Sequence, residues 1–255
     1  MARPPVRRLV IAILAALALA VPVLAQFGGR RFNTRGLLNS GYQAKYDGRV
    51  VIVRLFYDTY PGWSYDYPEM EQNVTNLLPA ISALTPNPNG SNIMRMDDPE
   101  LLKFPIAYLS EPGYWFPSES EVLGLRNYIN KGGFLIVDDF HFAEEWAVFE
   151  AAMMRVLPDA KIERLSITHP IFNTFFKIKT LAVPYPGPLG ERGLIGEFYG
   201  IHDLNHPSRR LKVVIDYNMD IGDYMEWSGQ GIYLMDPTNE AFKFFINYLI
   251  YGLTR

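Results

Sequence analysis

The chain has 255 residues, of which 49% are apolar and 20% charged, so its composition is that of a globular protein and excludes wholesale disorder. Its formal net charge of −3, from 24 basic and 27 acidic residues, argues against a nucleic-acid-binding protein. The absence of cysteine excludes thiol catalysis, thiolate metal sites and disulfides.

The N-terminal segment predicts export from the cytoplasm. Arg3, Arg7 and Arg8 precede an uninterrupted apolar run at 9–21, and Pro22 and the small residue Ala25 follow it. The run is shorter than the roughly 20 residues that a transmembrane helix needs. We therefore expect a cleaved signal peptide at residues 1–25 and a periplasmic or secreted protein. An uncleaved N-terminal membrane anchor is the alternative.

After a flexible leader at residues 26–47, strand and helix patterns alternate. Runs of β-branched and aromatic residues predict strands at Val50–Tyr57, Ile93–Met96, Phe104–Leu109, Phe134–Val137 and Leu211–Ile215. Apolar residues spaced three or four apart predict helices at Tyr67–Leu84, after Ser118, at Ala143–Val156 and at Asn239–Leu253.

The alternation predicts a single α/β domain over residues 48–255, an open and mostly parallel sheet with helices on both faces. Residues 157–210 are rich in proline and glycine, and we expect them to form an irregular insertion packed on the sheet. Ser118 and Glu121 form a capping box at the start of one helix. Gly132 is expected to end that helix in the left-handed conformation.

Ligands bind at the carboxyl ends of the strands in open α/β sheets, so the polar and aromatic residues that follow the predicted strands are candidates for a binding site. If the strands are parallel neighbours, we expect these residues to converge on one rim. The candidates are Asp58, Trp63, Glu111, Tyr114, Asp138, Asp139, His141, Asn218 and Asp220.

Asp138 and Asp139 follow the most convincing strand and cannot both point the same way while that strand continues. We expect Asp138 to face the rim, and Asp139 to turn back and accept backbone amides of the helix near Ala143. The alternative is that both carboxylates only cap that helix.

A divalent cation, Ca²⁺, Mg²⁺ or Mn²⁺, is an alternative ligand of the rim, because carboxylates held close together repel one another. Asp216, Asn218 and Asp220 have the spacing of a calcium loop, but Gly222 comes one position late and Trp227 stands in the twelfth position. The sequence contains no G-x-S-x-G, H-E-x-x-H or G-x-G-x-x-G motif and no phosphate-binding glycine loop.

The run DPELLKFPIAYLSEPGYWFPSESEVLGLRNYINKGGFLIVDDFH resembles the central signature of a bacterial family, domain of unknown function 4159. The resemblance continues in LKVVIDYNMDIGD and covers about residues 48–253. It implies a flavodoxin-like fold similar to that of class I glutamine amidotransferases, and it brings no established activity. Those enzymes use a cysteine at a strand-to-helix elbow. Here the comparable turn begins Glu111-Pro112-Gly113, so we expect no amidotransferase activity.

Two main hypotheses follow. The first is a non-catalytic binding module outside the cytoplasm, which recognises a small polar ligand, a glycan or an envelope protein through the rim. The second is a metal-dependent hydrolase that uses Asp138, Asp139 and His141. A structural partner of an envelope complex is a third alternative. We favour the binding module because no pair of base and nucleophile is visible in the sequence. We expect no nucleic-acid partner, and membrane contact only through an uncleaved N-terminal segment.

Overall fold

The computed structural model describes residues 44–255; the predicted signal peptide and nearly all of the leader lie outside the described residues. The described part contains a seven-stranded sheet with the order β2-β1-β3-β4-β7-β6-β5. Its strands are β1 Val53–Phe56, β2 Asn92–Arg95, β3 Ile106–Ser110, β4 Phe134–Asp138, β5 Glu163–Arg164, β6 Glu197–His202 and β7 Leu211–Tyr217.

The sheet is mostly parallel, as predicted. Strands β2, β1, β3, β4 and β7 run parallel, whereas β6 lies antiparallel to β7, and β5 antiparallel to β6. The helices of the described part are α1 Glu69–Ile81, α2 Glu119–Asn130, α3 Phe142–Val156, the single turn α4 Pro188–Glu191, α5 Ile221–Glu226 and α6 Met235–Thr254. Short 3₁₀ turns connect several of these elements.

Helices cover both faces of the sheet. Helices α2 and α3 pack on one face, where Leu125 and Phe149 meet Leu109 and Val137. Helices α1, α5 and α6 pack on the other face, where apolar and aromatic side chains surround Ile136. The central strands are therefore buried on both sides, which explains why their sequences are almost continuously apolar. No helix among residues 44–255 is long and apolar enough to cross a bilayer.

The local predictions for α2 are confirmed. The Ser118 hydroxyl accepts the Glu121 amide, and the Glu121 carboxylate accepts the Ser118 amide, so the capping box is complete. The helix ends at Asn130, and Gly132 follows in a left-handed conformation with φ 106°. A residue with a β-carbon is disfavoured in that conformation, which explains the glycine.

The segment at 157–210 is more regular than its composition indicates. Strand β6 pairs with β7 along most of its length, and β5 extends the same edge of the sheet. In the part of the chain that connects β5 to β6, Leu165, Ile171 and Phe172 pack in the core beside α6. The alternation of buried and half-buried residues in β6 was hidden by the prolines and glycines on either side.

The chain changes direction across the sheet at β1. Strand β2 lies on one side of β1, and β3 lies on the other, so the connections that follow β1 and β3 diverge. A crevice at the carboxyl ends of two such strands is the usual ligand site of open α/β sheets. The topology therefore predicts a ligand site among the residues that follow β1, β3 and β4.

Candidate functional site

Glu111 forms an elbow between β3 and a 3₁₀ turn at Pro112–Tyr114. Its backbone is left-handed, with φ 54° and ψ 43°, a conformation that costs a residue other than glycine roughly 1–2 kcal/mol. The Tyr57 hydroxyl, from the end of β1, donates to the carbonyl oxygens of Ser110 at 3.1 Å and of Glu111 at 2.6 Å. The elbow is thus tied to the end of the neighbouring strand β1.

The Glu111 carboxylate makes no hydrogen bond and no ion pair with any of residues 44–255. Burial, with the nearby carboxylates of Glu145 and Asp66, raises its pKa to about 8. A side chain that is largely buried, acidic and without a bonding partner is uncommon, because removal from water must be balanced by other contacts.

Two tyrosines form one wall beside the elbow. The rings of Tyr60 and Tyr114 stack with centroids 4.3 Å apart, and Tyr114 is 39% exposed. The Thr59 hydroxyl donates to the Tyr114 carbonyl oxygen at 2.6 Å, which joins the connection after β1 to the turn after β3. The aromatic faces are therefore presented to solvent by a fixed backbone.

Glu145 lies between the elbow and the start of α3. It accepts the Tyr114 hydroxyl at 3.2 Å and the His141 amide at 2.7 Å. A β-carbon on Gly113 would lie 2.5 Å from the Glu145 Cβ, so glycine is required for α3 to approach this closely. The approach brings the Glu145 carboxylate near Glu111.

Asp138 does not face the rim, and the expectation that it does is wrong. It is fully buried, and its Oδ2 accepts the Tyr108 hydroxyl at 2.6 Å and the amides of Ile221 and Gly222 at 2.9 and 3.0 Å. Asp138 is thus the residue that binds a helix N-terminus. That helix is α5, whereas the Phe142 amide at the start of α3 donates to Asn218.

Asp139 takes the place at the rim that was expected for Asp138. Its backbone is left-handed, with φ 64°, and its amide donates to the Met219 carbonyl oxygen, so the strand's alternation ends there. Its carboxylate has long contacts to the hydroxyls of Ser110, at 3.3 Å, and Tyr185, at 3.4 Å. Burial, followed by the charge of Glu111, raises its pKa well above the ordinary value.

His141 begins α3 and lies beside this acidic pair. Its ring centroid is 5.2 Å from that of Tyr185, and its Nδ1 is 3.5 Å from the Glu145 carboxylate. The Nδ1 atom is buried and has no hydrogen bond among the described residues. His141 therefore lies close to the cluster, with its Nδ1 beside the Glu145 carboxylate.

Helix α5 contributes two further acids to the rim. Asp220 caps the helix by accepting the Asp223 amide at 2.7 Å, and Asp223 accepts the Tyr233 hydroxyl at 2.7 Å. Burial raises the pKa of both carboxyls; the next largest contribution for Asp220 is the charge of Asp139. The carboxylates that follow β3 and β4 and that begin α5 thus raise one another's pKa.

The nearby guanidinium belongs to Arg54, and it is already paired. It is fully buried in β1, where it binds Asp66 through two nitrogens, at 2.6 and 3.0 Å, and Glu71 at 2.8 Å. None of the ion pairs within residues 44–255 involves Glu111 or Asp139. The rim is consequently an acidic region with little compensating positive charge.

Three other candidates lie elsewhere or have structural partners. Trp63 is 1% exposed and packs against Phe56 in the core, so its ring is not available to a ligand. Asp58 is exposed and pairs with Arg95 at 3.5 Å. Asn218 accepts the Phe142 amide at 3.1 Å and fixes the start of α3. The expectation that all candidates converge is therefore too broad.

The calcium-like spacing does not produce a calcium loop. The Asp216 carboxylate is buried and accepts the Tyr248 hydroxyl, whereas Asn218 and Asp220 serve the starts of α3 and α5. Throughout residues 44–255, no group of three His, Asp or Glu side chains is arranged to hold a metal ion.

Sequence reasoning missed several residues of the rim: Asp66, Glu145, Tyr185 and Asp223. Two had a local signal, because Glu145 lies one helical turn after His141, and Asp223 follows Asp220 by three residues. Tyr185 had none. It comes from the segment between β5 and β6, and only the tertiary fold brings it to Asp139.

The family model for a domain of unknown function (DUF4159) matches residues 51–253. The chain belongs to this family. The match includes every element from β1 to α6 in which the rim residues of this DUF4159 domain lie. No curated protein matches the chain.

Proposed function

We propose that this DUF4159 domain is a non-catalytic binding module that works outside the cytoplasm. Its ligand is a small polar molecule or a side chain that carries an ammonium or guanidinium group. The proposed site is the surface at the rim that is bounded by the elbow at Glu111, the stacked pair Tyr60–Tyr114 and the carboxylate of Asp139. The location outside the cytoplasm rests on the export signal expected at residues 1–25.

The observation that carries the proposal is the composition of the elbow. Enzymes that use a strand-to-helix elbow place the nucleophile in the strained position and bind the oxyanion with the amide of the next residue. Here the strained position is held by Glu111, and the next residue is Pro112. Proline has no N–H group. The turn thus keeps the shape of a reactive elbow but lacks both the thiol or hydroxyl and the oxyanion donor.

Charge favours a cationic ligand. The carboxylate of Glu111 has no bonding partner within the described residues, and Asp139 has only two long contacts to hydroxyls. A cation placed there would gain charge-assisted hydrogen bonds. It would also lie near the faces of Tyr60 and Tyr114, where a cation–π contact contributes about 0.5–2 kcal/mol.

The hydrolase alternative has no such support. It needs Asp138, Asp139 and His141 to act together on a metal. Asp138 is directed into the core, and its carboxylate already accepts a hydroxyl and two amides. We therefore do not propose a metal-dependent reaction for this rim.

The test is a binding titration of the full chain with simple probes. Butylammonium, butylguanidinium and tetramethylammonium are compared with butanol and butyrate by calorimetry or by protein NMR shifts. We expect the cations to bind and the neutral and anionic probes not to bind. The titration is made at pH 9, above the pKa of about 8 to which burial raises Glu111. There Glu111→Gln keeps the shape of the side chain and removes its charge, so it should weaken cation binding about tenfold, equivalent to about 1.4 kcal/mol.

Glu100→Gln is the matched control, since Glu100 is an exposed acid that pairs with Lys103. This variant should bind the cations as the wild type does. Equal binding of butanol and butylammonium would refute a cationic ligand. Unchanged affinity in Glu111→Gln would remove the elbow from the site.

A further inference from the structure

A cavity of about 400 Å³ lies at the end of the sheet opposite the rim. Its wall includes Lys212, at the amino end of β7, and His202, at the end of the antiparallel strand β6. The ends of α2 and α3 and the connection that follows α3 complete the wall. Small-molecule sites in proteins usually have volumes of roughly 300–1,000 Å³, so this space, here called the basal cavity, is large enough for a small ligand.

The wall of the basal cavity is more apolar than polar. Its apolar residues are Val156, Leu157, Pro158, Ala160, Ile201 and Leu204. Leu204 is 74% exposed, so most of its side chain is in contact with water. A ligand with an apolar body would remove apolar surface from water on both sides of the contact.

The loop that carries Leu204 has an unusual backbone. Leu204 and Asn205 are both left-handed, with φ 52° and 53°, a conformation that a bulky residue such as leucine rarely adopts. The Asn205 side chain fixes the loop, because it accepts the Lys161 amide and donates to the Asp159 carbonyl oxygen. The exposed leucine is therefore presented at the cavity by a backbone that is held in place.

Arg126 of α2 is a cation of the cavity wall without an acidic partner. Its Nε donates to the Val156 carbonyl oxygen at 2.7 Å, and its Nη2 donates to the Arg155 carbonyl oxygen at 2.6 Å. Both carbonyls belong to the carboxyl end of α3, where a positive charge is favoured. None of the ion pairs within residues 44–255 involves Arg126. Its position is thus fixed while its charge is not neutralised.

The two hydrogen bonds of Arg126 use only one edge of its guanidinium. Nε and Nη2 form the edge that faces α3, and Nη1 has no hydrogen bond to any described residue. The edge formed by Nη1 and Nη2 therefore retains N–H donors. Two parallel N–H groups of a guanidinium match the two oxygens of a carboxylate. Capping of α3 explains the first edge, and a carboxylate ligand suits the second.

The other charged groups of the wall do not replace such a ligand. The Lys212 ammonium pairs with Asp203 at 2.8 Å and lies 3.4 Å from the Asn130 side-chain oxygen. Asp159 is exposed, so water solvates its carboxylate. A neutral or cationic ligand would leave the charge of Arg126 without a partner, whereas an anion would neutralise it.

We propose that the basal cavity binds a small organic acid, with its carboxylate on the free edge of Arg126 and its apolar body against Leu157, Ile201 and Leu204. The site is separate from the rim and takes a ligand of the opposite charge. It therefore goes beyond the binding function proposed for the rim.

Titration of the full chain with hexanoate at pH 7, followed by calorimetry and by protein NMR shifts, tests the basal cavity. Carboxylic acids are ionised at this pH. Hexanol and hexylammonium test the charge, and acetate tests the apolar wall. We expect hexanoate to bind at least about tenfold more tightly than each of them, with the shifts centred on residues 156–160 and 201–205. Hexanol or acetate binding as tightly as hexanoate would overturn the proposal.

Two sources can supply this chemistry, a free acid and the carboxyl end of a peptide. N-acetylleucine carries the carboxylate and the apolar body of a peptide end, and hexanoate carries those of a free acid. Whichever of the two binds more tightly identifies the source. Failure of both to bind would contradict an acid site.

Arg126→Gln removes the charge and should weaken hexanoate binding about tenfold. Arg155→Gln is the matched control, since Arg155 also donates to a carbonyl oxygen, that of Pro117, but does not line the cavity. It should bind hexanoate as the wild type does. Wild-type affinity in Arg126→Gln, or an equal loss in Arg155→Gln, would remove the guanidinium from the site.

Leu204→Asn tests the cavity without endangering the fold. Asparagine suits left-handed backbone better than leucine does, and the side chain at this position is exposed. Loss of the apolar wall should weaken hexanoate binding about threefold. Unchanged affinity would overturn the proposal, even if Arg126→Gln did not fold. Glu111→Gln should bind hexanoate as the wild type does, so the basal cavity and the rim can fail separately.

Discussion

Helix α2 and the acidic rim follow opposite rules. In α2, the left-handed position at the helix end is glycine, and the capping box satisfies the first amides with local side chains. At the rim, left-handed backbone falls on residues other than glycine, namely Glu111, Asp139, Phe142 and Asn218. Strain of this kind costs about 1–3 kcal/mol at each position and persists where surrounding structure enforces it. The contrast distinguishes α2, whose residues suit their local conformation, from the rim, whose residues are held in strained conformations by the surrounding structure.

The charges show the same difference. The acid of the α2 capping box, Glu121, accepts the Ser118 amide and the Ser118 hydroxyl. The acids of the rim face one another, and the Glu111 carboxylate has no hydrogen bond within residues 44–255. Natural sequences break local rules mainly where function requires it. This is the physical reason for placing the site at the elbow and not elsewhere along the sheet.

The largest effect is expected at Asp138, which does not face the rim and instead anchors α5. Asp138→Ala would leave two amides of α5 and the Tyr108 hydroxyl without their acceptor in a dry interior. Because each buried unsatisfied group costs about 1–3 kcal/mol, the free energy of unfolding should fall by about 3 kcal/mol or more. Urea unfolding measures it, and a loss below about 0.5 kcal/mol would show that Asp138 does not anchor α5.

The contrast also explains what the sequence could predict. The ends of α2 depend on residues within one turn, so the capping box and Gly132 could be identified without a tertiary model. The roles of Asp138 and Asp139 were reversed, because the answer depends on which helix N-terminus donates to the Asp138 carboxylate. That helix, α5, is more than 80 residues away along the chain, as the Asp138–Ile221 hydrogen bond shows.

The second effect concerns pH. The pKa of Glu111 is raised to about 8 by burial and by Glu145, so the folded state holds a proton that the unfolded state loses above about pH 4.5. Its contribution to stability is therefore present at low pH and lost as the pH rises through 8. Between pH 6 and pH 8 the loss is about 2 kcal/mol for this group.

Urea unfolding at the two pH values measures this change in wild type and in Glu111→Gln. The variant should have a smaller pH dependence, because glutamine does not titrate. Glu100→Gln, an exposed acid near Lys103, provides the comparison and should behave as the wild type. A variant Glu111→Gln with the full wild-type slope would place the proton on another member of the cluster.

The third effect lies in α2. Gly132→Val places a β-branched residue at φ 106°, although no atom lies within 4 Å of the added β-carbon. Only the backbone conformation is penalised, so we expect a loss of about 1 kcal/mol in the free energy of unfolding. Binding of the butylammonium probe should be unchanged. A selective loss of binding without a loss of stability would contradict the division between the two regions.

The smallest effect is also the sharpest test of the comparison. At the elbow, Glu111→Gly should stabilise the protein, because glycine adopts φ 54° without the strain that glutamate bears there. The gain is measured at pH 6 relative to Glu111→Gln, because neither variant titrates at this position and the difference between them excludes the cost of protonating the glutamate. It is expected to be about 0.5 kcal/mol, since the greater freedom of glycine in the unfolded chain offsets part of the relief. The same variant should lose binding of the butylammonium probe, measured by calorimetry at pH 8. A gain in stability with a loss of binding would mean that the strain is retained for the ligand. A loss of stability at pH 6 would mean that the glutamate side chain supports the elbow, and the rim would then follow the same rules as α2.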